Sequence, residues 1–225
     1  MRVSAIVLAA GRGLRLKTRL SKPLVRIKDK PVIIYSLEAL TSHQGVDEII
    51  VVANRGNLRA ITALIKKYRL AKVRTVTLGG ARRQDSVSSG LRCLGKSTDL
   101  VLVHDAARPF LEKRFISRLI REAAKYGASV LGIPVKSTLK KNSGRSRLVE
   151  RTVSRQGLWE IQTPQVFRRD LLLESFGRFG REDVTDDAML TEKLGAKVKI
   201  VEGSSRNIKI TSPEDIRIAT AIAGG

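Results

Sequence analysis

The chain is poor in several features that would have pointed to common functions. A single cysteine, Cys93, among 225 residues leaves no partner for an intramolecular disulfide and fits a reducing compartment. It falls in the apolar pattern of Val87, Leu91 and Leu94, so a packing role is expected. No apolar stretch approaches the roughly 20 residues that span a bilayer. The N-terminal apolar segment also gives way to glycine and charge too soon for a secretory signal, so a soluble, cytoplasmic protein with no membrane partner is expected. Aromatic residues make up 4% of the chain and are nowhere interleaved with Lys and Arg as on a single-strand binding surface, so no specific nucleic-acid partner is expected. Acidic residues are scarce too: 21 Asp+Glu face 43 Lys+Arg, a formal charge of +22. The basic residues are spread over nearly every segment. A surface of this kind steers anionic substrates toward a cleft and binds polyanions non-specifically at low salt.

Two well-known glycine motifs are also missing. Gly11-Arg12-Gly13-Leu14-Arg15-Leu16 lacks the third glycine of the dinucleotide fingerprint, and no Gly-Lys-Ser/Thr closes a Walker-type loop. What is present is an apolar run, Val3-Ser4-Ala5-Ile6-Val7-Leu8-Ala9-Ala10, that breaks into those two glycines and is followed by Ser21-Lys22-Pro23-Leu24. The run suits a parallel strand buried on both faces. The glycines let backbone N–H groups approach a phosphate that a Cβ would obstruct, and Arg15 and Lys22 supply cations for a triphosphate.

Strand candidates then alternate with helical patterns: 3–9, 48–53, 73–78, 100–104 and 129–134, with helices over 31–40, 58–68, 84–94 and 113–126. This alternation predicts a doubly wound, Rossmann-like α/β fold with a mostly parallel sheet. The length suits one domain over 1–225. Residues 136–160 break the rhythm, with Asn142-Ser143-Gly144 at a turn, and are expected to form a projecting β-hairpin arm. A two-stranded arm is marginal alone, so a second copy of the chain is expected to cover it, giving a homodimer. Beyond it, helices are expected over 169–175 and 185–194, strands over 197–201 and 207–210, and a last helix from Pro213.

Further motifs sit at the ends of these elements: Gly79-Gly80-Ala81-Arg82-Arg83-Gln84-Asp85-Ser86-Val87, Val103-His104-Asp105-Ala106-Ala107-Arg108-Pro109, Thr163-Pro164-Gln165 and Asn207-Ile208-Lys209-Ile210-Thr211. With Arg151-Thr152-Val153, Gly157-Leu158-Trp159 and Thr185-Asp186-Asp187, the whole chain resembles the 2-C-methyl-D-erythritol 4-phosphate cytidylyltransferases. That resemblance implies a fold of the nucleotide-diphospho-sugar transferase type and transfer of CMP from CTP to a small polyol phosphate, with Mg²⁺ or another divalent cation. It implies nucleotide binding by Ala9, Ala10, Gly11, Gly13, Arg15, Lys22, Gly79, Gly80, Arg82, Ser86 and Asp105. It further implies that Arg15 and Lys22 stabilise charge on the triphosphate, that Arg155 and Lys209 position the acceptor, and that Asp105 and Arg108 lie between the two substrates. Thr138, Thr163 and Thr185 fall at further substrate contacts, and Arg155, on the arm, would reach the neighbouring subunit's site.

These roles also make physical sense. Gly79-Gly80 links a strand to a helix, where backbone N–H groups and the Ser86 hydroxyl can hold base and ribose while Arg82 reaches phosphate. Asp105 leaves the carboxyl end of a buried strand, and one carboxylate beside triphosphate oxygens suits Mg²⁺, which keeps several waters. His104 is assigned a packing or hydrogen-bonding role, because a phosphate monoester is already ionised near neutral pH and needs no base. Two departures keep other readings open. Lys22-Pro23-Leu24 lacks the glutamine usual after the loop lysine and looks more like the sugar-nucleotide pyrophosphorylases, whose second metal-binding aspartate is absent here. Ser137 stands in place of the family's usual aspartate, and ribitol 5-phosphate cytidylyltransferase shares the arm, the aspartate and a similar N-I-K-x-T segment. A non-catalytic polyanion-binding protein on a degenerate scaffold is the alternative of another class.

Overall fold

A computed structural model describes residues 1–11, 21–144 and 147–224. Its centre is a seven-stranded sheet whose strands lie in the order 198–202, 128–134, 159–168, 100–105, 3–8, 48–53 and 73–78. β1 (Val3–Leu8), β4 (Glu48–Ala53) and β6 (Leu100–Asp105) form the middle of the parallel half. Their near-continuous apolar sequences follow from burial on both faces, which removes the polar alternation of a half-exposed strand. β5 (Val73–Leu78) pairs in parallel with β4 at one edge. At the other, β11 (Val198–Glu202) runs parallel to β7 (Ala128–Pro134).

The core has two layers. On one face, α1 (Val32–Thr41), α2 (Leu58–Lys67) and α4 (Lys113–Tyr126) bury Ile33, Leu37, Ile61, Phe115, Ile116 and Leu119 against the sheet. On the other, α3 (Arg83–Leu91), α5 (Arg169–Phe179) and α6 (Asp187–Lys193) contribute Val87, Leu91, Leu172 and Ala188. α4 matches the range expected from its sequence because its apolar positions recur every three to four residues. Gly127 ends it at φ +92°, a conformation costly for other residues. α7 (Pro213–Ile222) starts where Ser212 and Asp215 form a capping box around Pro213. Beside it, β2 (Arg26–Ile27) and β3 (Lys30–Pro31) make a small hairpin, and Ile27, Val32, Ile210 and Ala219 pack together.

Two expectations need correction. The arm is shorter than 136–160: its strands are β8 (Leu139–Asn142) and β9 (Val149–Val153). Residues from Trp159 onward belong instead to β10 (Trp159–Arg168), which lies antiparallel between β6 and β7. Pro164 hides this strand in the sequence, since proline usually argues against a central strand. Here the ladder shifts register between Gln162 and Gln165, so the proline sits in the irregularity, behind a cis peptide bond, and pairing resumes beyond it. Residues 207–210 are not a strand either. They are held by the buried Asn207 side chain and by the Ile210 N–H bonded to the Ala107 carbonyl at 2.9 Å.

Candidate active site

Parallel register decides where the site can be. Leu8 pairs with Val52 and with Asp105, so β1, β4 and β6 end together and their following residues share one edge of the sheet. Ala9 and Ala10 leave β1 at this edge. Asn57 donates from Nδ2 to the Ala9 carbonyl at 2.9 Å and to Ser21 Oγ at 2.8 Å, gripping both flanks of segment 12–20, and Asn54 donates to the Ala10 carbonyl at 3.0 Å. Asn54 and Asn57 fix one another, each backbone N–H donating to the other's side-chain oxygen. Lys22 opens a single turn directly after Ser21. Gly13 and Arg15 lie outside the described residues.

The next wall is the β5–α3 turn. A Cβ on Gly79 would stand 2.5 Å from Ser86 Oγ and 2.7 Å from Ala10 Cβ, so glycine alone allows these three expected nucleotide residues to meet. Ser86 is buried in the first turn of α3, and Gly80 lies against Asp85. Arg82 is held by protein partners at the rim of this wall. It pairs with Asp85 at 2.8 Å and donates to the Arg181 carbonyl at 3.0 Å. Hydrogen bonding from Arg82 holds the Asp85 carboxyl below its ordinary range. A cleft of about 520 Å³ opens on this side, lined by Gly79, Gly80, Arg82 and Phe176, but Asp105 is not among its walls.

The charged centre is at the end of β6. Asp105, its side chain 9% exposed, has Lys209 Nζ at 2.5 Å from Oδ2 and Arg83 Nε at 3.3 Å from Oδ1. Burial works to raise its carboxyl, yet Arg83, Lys209 and Arg108 outweigh burial and hold it far below the ordinary carboxylate range. Arg83 Nη1 in turn meets Asp187 Oδ2 at 2.8 Å, and Arg108 Nη1 donates to the Asn207 carbonyl at 2.7 Å. Three cations therefore surround two carboxylates, a surplus that suits an anionic ligand. Among the described residues no three His, Cys, Asp or Glu side chains come together as a metal cage.

A polar chain fixes the Asp105 backbone. Its N–H donates to Thr163 Oγ1 at 3.0 Å, Thr163 Oγ1 lies 3.2 Å from His104 Nδ1, and His104 Nε2 lies 3.1 Å from the Arg108 carbonyl. A carbonyl only accepts, so Nε2 carries the proton, Nδ1 accepts, and the threonine hydroxyl donates to it. Burial pushes the imidazole down to about 4, so it is neutral here. The ring is thus a hydrogen-bonding spacer between Thr163 and Arg108.

Asp105, Arg108, Thr163 and Lys209 are brought together as expected. Thr185 is exposed and faces Met189, while Thr138 and Arg155 are exposed at the base of the arm, where Arg155 bonds the Lys136 carbonyl. Sequence reasoning missed Arg83, Asp187, Asn54 and Asn57. One signal was available for Asp187. In Asp186-Asp187 before a helix only one aspartate can cap, and Asp186 does, accepting from the Met189 N–H at 3.0 Å, which leaves Asp187 to turn inward.

The family model described as 2-C-methyl-D-erythritol 4-phosphate cytidylyltransferase matches residues 3–224. A Clostridium botulinum protein named 2-C-methyl-D-erythritol 4-phosphate cytidylyltransferase is 38% identical over 221 residues, 97% of this chain and 96% of its own. A bifunctional enzyme IspD/IspF of Desulfotalea psychrophila is 44% identical over 216 residues, and this chain spans 55% of its length. The crystal structure of 4-diphosphocytidyl-2C-methyl-D-erythritol synthase from Anaerococcus prevotii superposes with a TM-score of 0.87 at 31% identity, covering 100% of this chain and 96% of that one.

Proposed function

The chain belongs to the 2-C-methyl-D-erythritol 4-phosphate cytidylyltransferase family, and from that premise we propose which of its residues carry the reaction. It is a CTP-dependent nucleotidyltransferase: CMP passes from CTP to 2-C-methyl-D-erythritol 4-phosphate, pyrophosphate leaves, and 4-diphosphocytidyl-2-C-methyl-D-erythritol forms, a step toward isoprenoid precursors by the non-mevalonate route. An acceptor phosphate oxygen attacks the α-phosphorus as the bond to pyrophosphate breaks. A phosphate monoester with a second pKa of about 6 is already a dianion near neutral pH and needs no base. The neutral, buried His104 is in keeping with that.

The single observation that carries the reading is the contact of Lys209 and Arg83 with the ionised Asp105 carboxylate at the end of β6. Lys209 and Arg108 hold the acceptor phosphate beside the α-phosphate, and the roles of stabilising charge on the leaving pyrophosphate fall to Lys22 and, by the family resemblance, Arg15. The work is positioning and charge stabilisation. Cytosine and ribose lie against Ala10, Gly79, Gly80 and Ser86.

The donor set fits Mg²⁺ only as a cation shared with substrate. Asp105 is ionised but single, and Mg²⁺ commonly binds through one or two carboxylates, waters and substrate phosphates. When bound, it would neutralise charge developing on the phosphates.

The arm forms a homodimer, which covers Leu148 and Val149, 78% and 60% exposed at its tip. Thr138 and Arg155 of one subunit then serve the other subunit's acceptor site. The test is pyrophosphate release with CTP and Mg²⁺, offering methylerythritol 4-phosphate, ribitol 5-phosphate and glucose 1-phosphate separately. Turnover with the first alone is expected, and turnover with either other would overturn the acceptor.

A further inference from the structure

Arg83 is divided between two carboxylates in an unequal way. A guanidinium can grip one carboxylate with a parallel pair of N–H bonds, and that fork is its strongest pairing. Arg83 does not do this with Asp105. Only Nε approaches, at 3.3 Å, and the neighbouring Nη2 is buried with no hydrogen-bond partner. The short contact, 2.8 Å, runs the other way, from Nη1 to Asp187 Oδ2. Asp187 is 1% exposed on the first turn of α6, and its Oδ1 is also without a partner. Buried polar atoms left unpaired are costly, and two of them on facing members of one ion pair mark an arrangement that does not maximise its own bonding.

Two closures would satisfy Nη2: a fork of Nη1 and Nη2 on Asp187, whose Oδ1 is also unpaired, or a fork of Nε and Nη2 on Asp105. Asp105 already has Lys209 at 2.5 Å, so a full fork from Arg83 would leave the carboxylate saturated with positive partners. Such a carboxylate is a poor ligand for a divalent cation. Asp187, whose carboxyl is pushed up by burial against the pull of Arg83, opposes that closure by holding Nη1 at 2.8 Å on the far side of the guanidinium.

We propose that Asp187 and Arg83 are a positioning pair: Asp187 restrains Arg83 so that Asp105 keeps ligand capacity for the divalent cation arriving with the triphosphate. This rests on the reading of Asp105 as that cation's ligand. It assigns Asp187 a role through Arg83, with no contact of its own to substrate, and makes cation affinity depend on a residue outside the cation's reach.

The test measures Mn²⁺ binding in the presence of CTP and absence of acceptor, by water-proton relaxation, on the full chain. Asp187→Asn is expected to weaken Mn²⁺ binding about tenfold, as removal of outer partners of a metal ligand does. The double variant Arg83→Gln with Asp187→Asn removes both charges together and is expected to return to within about threefold of the unmodified protein. A merely structural loss would not be repaired by a second deletion. Unchanged binding in Asp187→Asn, or no recovery in the double variant, would overturn the proposal. Asp105→Asn separates the two layers. Lost binding there with no change in Asp187→Asn sinks the proposal alone, whereas retained binding in Asp105→Asn sinks the ligand reading and the proposal with it. If Asp187→Asn does not fold, the double variant decides: binding near that of the unmodified protein supports the pair, and a tenfold loss contradicts it.

Discussion

Asn207 donates from its fully buried side chain to the carbonyl oxygen of Thr163 at 3.0 Å, tying the segment that carries Lys209 to the strand whose threonine supports Asp105. The same amide donates to Gln162 Oε1 at 2.9 Å, and the Asn207 carbonyl receives Arg108. Asn207→Ala leaves two buried acceptors unpaired, so a loss of about 2 kcal/mol in stability is expected by urea denaturation. In the folded fraction the KM for the acceptor should rise more than that for CTP, because Lys209 loses its anchor.

Gly79→Ala tests the nucleotide wall. The added Cβ meets Ser86 Oγ and Ala10 Cβ at 2.5 and 2.7 Å, whereas one on Gly177 meets nothing within 4 Å. Gly79→Ala should raise the KM for CTP about tenfold through displacement of these groups. Gly177→Ala, inside α5, should leave kinetics unchanged and gain up to about 1 kcal/mol in stability. Equal KM values in the two variants would remove Gly79 from the nucleotide site.

The His104 ring is expected to stay neutral through the physiological range. Its pKa falls from 6.5 to about 4 through burial. Between those values the unfolded chain binds a proton that the folded one does not, so this contribution is complete above pH 6.5 and is lost as the pH falls toward 4. Its full size is about 3 kcal/mol. Proton NMR of the ring should show no titration from pH 8 to pH 5. A midpoint near 6.5 would contradict the hydrogen-bonded chain through Thr163 and Arg108.

Arg155→Ala tests the arm. Arg155 sits outside the Asp105 cluster of its own chain, bonded to the Lys136 carbonyl. CTP binding by calorimetry should be nearly unchanged while turnover falls about a hundredfold through loss of acceptor orientation. A CTP affinity that falls in step with the rate would refute service to the acceptor site. Leu148→Asp with Val149→Asp should shift the protein from dimer to monomer in sedimentation.

Much of this arrangement was legible in the sequence wherever one physical requirement dominates a segment. Strands buried on both faces read as apolar runs, so β1, β4 and β6 were placed within a residue or two, and with them Asp105 at the strand ends. What escaped was set by tertiary context. β10 was hidden because Pro164 interrupts its pattern, and 207–210 read as a strand although side-chain bonds hold it. Arg83 and Asp187, 104 residues apart, acquire their meaning only through their 2.8 Å contact. The charge of +22 has no structural account beyond steering of anions.

Asp105 lies between the acceptor and triphosphate roles assigned to Lys209, Arg108 and Arg83, and the steady-state rate of Asp105→Asn with CTP, Mg²⁺ and methylerythritol 4-phosphate examines it alone. A loss of about a thousandfold in kcat, or more, is expected in the folded protein, with a lowered thermal midpoint, since the asparagine preserves shape but removes the charge that orders and neutralises Lys209, Arg83 and Arg108. A rate within threefold of the unmodified protein would place the reaction somewhere other than the end of β6.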